Sequence, residues 1–114
     1  MVNYIPKRGD FIRLTFNPQA GHEQKGDRPA LVLSKDKFNL KIGFVFVCPI
    51  SNTKRKNPFY VPIPDSEIVT GVIMTDQLRS LDYKARNAIF IGKCRDDLLT
   101  EVLKRIKPIL FDLF

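Results

Sequence analysis

The chain has no tryptophan, a single histidine (His22) and two cysteines. A zinc site draws on about four clustered nitrogen and sulfur ligands, so one histidine and two dispersed cysteines argue against metal chemistry. No metal or other cofactor is expected. Cys48 and Cys94 each sit in an apolar segment and read as buried small hydrophobes, not as a disulfide. Long apolar runs are missing too. The longest, Phe44-Val45-Phe46-Val47-Cys48, is far short of the ~20 residues that span a bilayer. The first residues lack the apolar stretch and small-residue cleavage site of a secretory signal. A cytoplasmic protein with no membrane association is the expectation. Acidic residues are comparatively scarce, 12 Asp+Glu against 19 Lys+Arg, which leaves a formal charge of +7. A field of that sign gathers polyanions, with nucleic acid the first partner to consider and an acidic protein the second.

The 114 residues, 44% hydrophobic and 27% charged, suit one compact domain covering 1–114. Strand patterns come first. Residues 10–16 alternate, with Ile12, Leu14 and Phe16 on one face and Phe11, Arg13 and Thr15 on the other. Asn17-Pro18 breaks the pattern, and a polar loop with Gly21 and Gly26 follows, to residue 27. Apolar, β-branched runs at 29–34 and 42–50 predict buried strands joined by a turn at 36–41. Residues 51–58 form a basic connection. Shorter strands are predicted at 59–63, 71–78 and 88–92, with Pro62 and Pro64 placing the first of these at an edge. Short strands at this spacing predict a small barrel, mainly β.

The chain ends differently. Leu98, Leu99, Val102, Leu103, Ile106, Ile109 and Leu110 fall at helical spacing after Asp96-Asp97. Glu101 and Arg105 make a favourable i,i+4 pair, and Pro108 should kink or end the helix. The apolar tail beyond it either packs on the barrel or helps bury a subunit contact.

Three clusters have the residue types for chemistry on a polyanion. The segment Gly21-His22-Glu23-Gln24-Lys25-Gly26-Asp27-Arg28-Pro29 places proton acceptors (Glu23, His22) on a glycine-flanked loop, with Arg28 at the mouth of the next strand. A guanidinium can clamp a phosphate through two parallel hydrogen bonds. Taken alone, the same residues are better described as a solvated loop with a surface ion pair. The second cluster is Ser51, a hydroxyl donor to a phosphate oxygen, beside Asn52 and the charges of Lys54, Arg55 and Lys56. The third is Asp76, Gln77 and Arg79, whose groups match those that read base edges. Asp76 has the structural alternatives of capping a turn or pairing with Arg86.

The block Gly21-His22-Glu23-Gln24-Lys25-Gly26-Asp27-Arg28-Pro29-Ala30-Leu31-Val32, preceded by Gly9-Asp10 and Phe16-Asn17-Pro18, resembles the signature of the MazF/PemK (Kid) toxins. Pro49 followed by Ser51, and Gly71-Val72 leading to Asp76-Gln77-Leu78-Arg79-Ser80-Leu81-Asp82 and Ala85-Arg86, continue the resemblance in family order, over roughly residues 9–110. The resemblance implies a small SH3-like barrel with a C-terminal α-helix (the MazF/PemK/CcdB-like fold) and a homodimer. It implies the toxin of a type II toxin–antitoxin pair: a metal- and ribosome-independent, sequence-specific endoribonuclease acting on single-stranded mRNA. A cognate antitoxin with an acidic segment would block the RNA groove. Attack by the 2′-OH would leave a 2′,3′-cyclic phosphate and a 5′-OH.

Carried onto this sequence, the resemblance assigns catalysis to Glu23, Arg28 and Ser51, with His22 matching a histidine of the PemK/Kid branch. It leaves Gln24, Asn52, Lys54, Arg55, Lys56, Asp76, Gln77, Arg79 and Arg86 to bind RNA. Either Glu23 or His22 would be the base, Arg28 the electrostatic clamp and Ser51 a phosphate-oxygen donor. Three positions depart from the family pattern. Ser51 stands where threonine is usual, Met74 where the Kid branch has a catalytic arginine, and Arg13 where relatives often carry tryptophan. Two other readings of the chain stay open: a non-catalytic toxin of related fold that inhibits DNA gyrase, and a single-stranded RNA-binding module.

Overall fold

The structure, a computed structural model, describes residues 4–18, 21 and 26–112. Seven strands and two α-helices follow in the order β1 (Asp10–Thr15), β2 (Asp27–Val32), α1 (Asp36–Ile42), β3 (Phe44–Ser51), β4 (Tyr60–Pro62), β5 (Val72–Met74), a 3-10 turn (Thr75–Gln77), β6 (Arg79–Asp82), β7 (Ile89–Lys93) and α2 (Asp96–Leu110). Every pairing is antiparallel, in the order β4-β5-β3-β2-β1-β7. The long β3 serves two partners. Phe44 to Val47 pair with β6, while Ile50 and Ser51 pair with β5. The mainly β class with a C-terminal helix is as expected, with β4 and β7 ending the path of paired strands.

Much of β1 and β2 and the second half of β3 is buried on both faces, which is why these segments are largely apolar, while Phe44 and Phe46 of β3 are exposed. Phe11, Leu31, Cys48, Ile50 and Ile73 join Leu98, Val102 and Ile106 of α2 in one cluster. Ile12, Leu14, Phe16, Ala30, Val32, Val45, Val47, Leu81 and Tyr83 form the other. The alternation in β1 therefore sorts residues between two cores, with Arg13 the exposed exception.

Four elements differ from the sequence reading. Residues 36–41 belong to a helix, α1, and not to a turn. Gly43 closes it in the left-handed region (φ 81°), its N–H donating to the Asn39 carbonyl. No apolar stripe marks this helix, because Phe38, Leu40 and Ile42 are exposed and its one buried residue is polar. That residue, Asn39, accepts from the Ser34 hydroxyl (2.6 Å) and donates to the carbonyls of Pro6 and Ser34. The strand predicted at 42–50 accordingly starts at Phe44.

The strand predicted over 71–78 is β5 alone, Val72–Met74; the 3-10 turn that carries Asp76 and Gln77 ends it, and a further strand absent from the sequence reading, β6, follows at Arg79–Asp82. Pro108 neither kinks the chain out of α2 nor ends it. It lies in the last turn, where its missing N–H deprives a single carbonyl, and Phe111 still donates to Lys107. Leu110 and Phe111 of the apolar end stay exposed, and Leu113 and Phe114 lie outside the described residues. Both thiols are free and buried, and Glu101 pairs with Arg105 at 3.3 Å.

Candidate active site

The loop between β1 and β2 is anchored on both sides. Phe16 N donates to the Gly26 carbonyl (2.9 Å), and Gly26 N donates to Asn17 Oδ1 (2.9 Å). Gly21 and Gly26 take positive φ (56° and 74°), a conformation favourable mainly to glycine, so the two glycines bracket the turn. His22, Glu23 and Gln24 lie outside the described residues. Two arginines secure the base of the loop. Arg86 donates through Nη1 to the carbonyls of Thr15 (3.1 Å) and Asn17 (2.8 Å), and the Arg79 guanidinium lies 5.7 Å from the centre of the Phe16 ring. The suggested pair of Asp76 with Arg86 is not what holds either group.

Arg28 stands half-exposed in β2, opposite Leu14 of β1. The β2–β3 register runs Val32↔Val47, Leu31↔Cys48, Ala30↔Pro49. Continued two residues past its last pair, this register sets Arg28 opposite Ser51. Side chains alternate along a strand, so Arg28 shares the strand face of Ala30, and Ser51 that of Pro49. The β2–β3 pairing itself stops at Ala30↔Pro49, so Arg28 and Ser51, 23 positions apart in sequence, stand on neighbouring strands just beyond their last pair.

Ser51 is held by its own turn. Its Oγ accepts from Thr53 N at 3.2 Å, which leaves the hydroxyl proton for donation. Gly71 packs directly against it: a Cβ there would fall 2.5 Å from the Ser51 carbonyl oxygen, and φ is +119°. Asn52, exposed, accepts from the Thr70 hydroxyl at 3.4 Å.

The basic connection after β3 and the 3-10 turn face each other. Lys54, Arg55 and Lys56 are exposed. Arg55 donates to Tyr60 Oη (2.7 Å); this bond, with the Tyr60 charge and then that of Asp76, raises the arginine pKa further. Asp76 accepts from Asn57 Nδ2 at 3.2 Å. Gln77 follows in the same turn and Arg79 opens β6 with its guanidinium over Phe16, so of the three expected base readers it is Asp76 that is joined to the basic connection. Met74 is 1% exposed in β5, opposite Tyr60. A side chain so placed brings no proton donor to the site.

Sequence reasoning missed three contributors. Asn57, Thr53 and the Phe16 ring act through contacts with residues distant in sequence or through local turns, and no periodicity marks them. The Asn57-Pro58 pair, a turn signal, was the only available hint.

Comparison with known proteins bears on the family and the fold. Residues 7–110 match the model of the PemK-like, MazF-like toxins of type II toxin–antitoxin systems. The chain is 41% identical over 108 residues to the endoribonuclease toxin ChpB of Escherichia coli K12, covering 90% of this chain and 92% of ChpB. It is 34% identical over 107 residues to the endoribonuclease toxin MazF of the same organism, covering 94% and 96%. Among solved structures, MazF of Deinococcus radiodurans superposes with a TM-score of 0.90 at 40% identity, covering 95% of this chain and 98% of that one. A MazE–MazF complex from that organism superposes with a TM-score of 0.84, covering 95% and 97%. Family match and fold agree, and the chain belongs to the PemK-like, MazF-like toxins of type II toxin–antitoxin systems.

Proposed function

We propose that the chain is a sequence-specific endoribonuclease that cleaves single-stranded mRNA without a metal ion and so halts translation and growth. The observation that carries this reading is the pairing of β2, which bears Arg28, with β3, which bears Ser51, where β2 follows the glycine-bracketed segment containing Glu23 and His22 in sequence. A phosphodiester between them meets a planar cation and a hydroxyl donor from two rigid strands. Glu23 or His22 takes the proton from the ribose 2′-OH as the 2′-oxygen bonds to phosphorus. Arg28 stabilises the charge that builds on the five-coordinate phosphorus, and Ser51 donates to a non-bridging oxygen. The bond to the 5′-oxygen then breaks. That oxygen takes a proton supplied by the site loop or water, since Met74 offers none. The products are a 2′,3′-cyclic phosphate and a 5′-OH end.

RNA meets the site through Gln24, Asn52, Lys54, Arg55, Lys56, Asp76, Gln77 and Arg79. Arg86 contributes by holding the loop base, its Nη1 being committed to the carbonyls of Thr15 and Asn17. The +7 charge also favours an acidic antitoxin, a partner class supported by the MazE–MazF complexes of relatives. A second copy of the chain is the natural cover for the apolar surface around Phe46, Leu103, Leu110 and Phe111.

The deciding experiment incubates the protein with long single-stranded RNA in EDTA, with Arg28→Ala beside it, and maps the cut ends. Discrete cuts by the parent protein alone, each leaving a 5′-OH, are expected. Intact RNA with folded protein would overturn the reading in favour of a gyrase-directed toxin or an RNA-binding module. Near-parental cleavage by Arg28→Ala would remove Arg28 from its role.

A further inference from the structure

Asn57 joins two loops that the sequence keeps 19 positions apart. Its side-chain carbonyl accepts from Phe59 N (2.8 Å) and its main-chain carbonyl accepts from Tyr60 N (3.0 Å), which together turn the chain into β4. Neither bond uses the amide nitrogen. That nitrogen donates across the gap to Asp76 Oδ2 at 3.2 Å. An aspartate would make the same turn, because its carboxylate oxygen accepts from the backbone equally well. It would, however, set a second carboxylate against Asp76. The amide is therefore needed for the contact between loops and not for the turn.

The consequence falls on Asp76. The side chain is exposed in a short 3-10 turn, and the Asn57 bond removes rotational freedom that RNA binding would otherwise have to remove. With Oδ2 engaged, Oδ1 remains as an oriented acceptor. A carboxylate oxygen accepts well from an exocyclic amine, as presented by adenine, cytosine or guanine. Uracil has no such amine, and its N3–H lies between two carbonyl oxygens that repel an approaching carboxylate.

We propose that Asn57 is a positioning residue for base selection: it holds Asp76 through Oδ2 so that Oδ1 favours, at one position of the single-stranded RNA, a base with an exocyclic amino group over uracil. The inference rests on the endoribonuclease reading above. It adds a determinant of sequence preference that lies outside the catalytic groups.

The test digests a random-sequence single-stranded RNA pool and sequences the cut sites, for the parent protein, Asn57→Asp, Asn57→Ala and Asp76→Asn, with Tm measured for each. The parent should disfavour uracil at one position near the cut. Asn57→Asp keeps the acceptor for Phe59 N and should fold. It should weaken the bias at that position roughly tenfold while leaving preferences elsewhere unchanged, as should Asp76→Asn. An unchanged bias in Asn57→Asp overturns the proposal. So does a uniform loss of rate at all sequences that tracks a fall in Tm, which is what a purely structural turn residue would give. A parent protein with no uracil bias near the cut overturns it as well. No cleavage by the folded parent protein would instead refute the endoribonuclease reading, and this inference with it.

Discussion

Gly71 and Ser51 are in backbone contact: a Cβ on Gly71 would lie 2.5 Å from the Ser51 carbonyl oxygen and 3.0 Å from Asn52 Oδ1. The obstacle is backbone, which cannot move aside as a long side chain would. The φ of +119° adds strain for any L side chain. Gly71→Ala should therefore cost at least ~2 kcal/mol in urea unfolding, and it should lower cleavage by more than the loss of folded protein explains, because Ser51 shifts. A stable, fully active Gly71→Ala would show that Ser51 needs no fixed place.

Arg86 spans the start of the catalytic loop through the carbonyls of Thr15 and Asn17. Its removal leaves those carbonyls without a charged donor. Arg86→Ala should lower stability by about 2 kcal/mol, while the slope of RNA affinity against salt changes little. A salt slope reduced by about one, with stability intact, would instead make Arg86 a phosphate contact.

The thiols offer a pH test. Burial, with a smaller contribution from Asp76, pushes Cys48 up to about 12, and burial first, then Glu67, does the same for Cys94. Below the ordinary thiol pKa of 9.0 both the folded and unfolded chains keep the proton. Between 9.0 and about 12 the unfolded state alone ionises, so stability should fall as pH rises through that window. Thiol-specific reagents at pH 8 should label neither cysteine until denaturant is added. Rapid labelling of the native protein would contradict their burial.

The legible parts of the fold were those whose signal is periodic or compositional. Val45, Val47 and Ile50 announce a buried strand, and Leu98, Val102 and Ile106 a helix packed on one side. Helix α1 was illegible because its inward residue, Asn39, is polar, and its stability comes from hydrogen bonds to Pro6 and Ser34. The end of β5 at Met74 and the separate β6 were hidden because strands of three and four residues carry little periodic signal, and the split pairing of β3 is what defines them.

Sequence alone determined the chemical inventory: Glu23, His22, Arg28 and Ser51 in family order, an excess of positive charge, and the class of fold. Each of these is a property of residue identity or local spacing, which folding does not alter. Tertiary structure decided which strands and loops meet. Antiparallel pairing brings β2, with Arg28, beside β3, with Ser51, and a contact between two loops sets Asn57 against Asp76. It also committed Arg86 to the loop base and buried Met74 away from the site. Register and loop contact arise from pairing between distant segments, and that pairing depends on the whole sheet closing over its two cores.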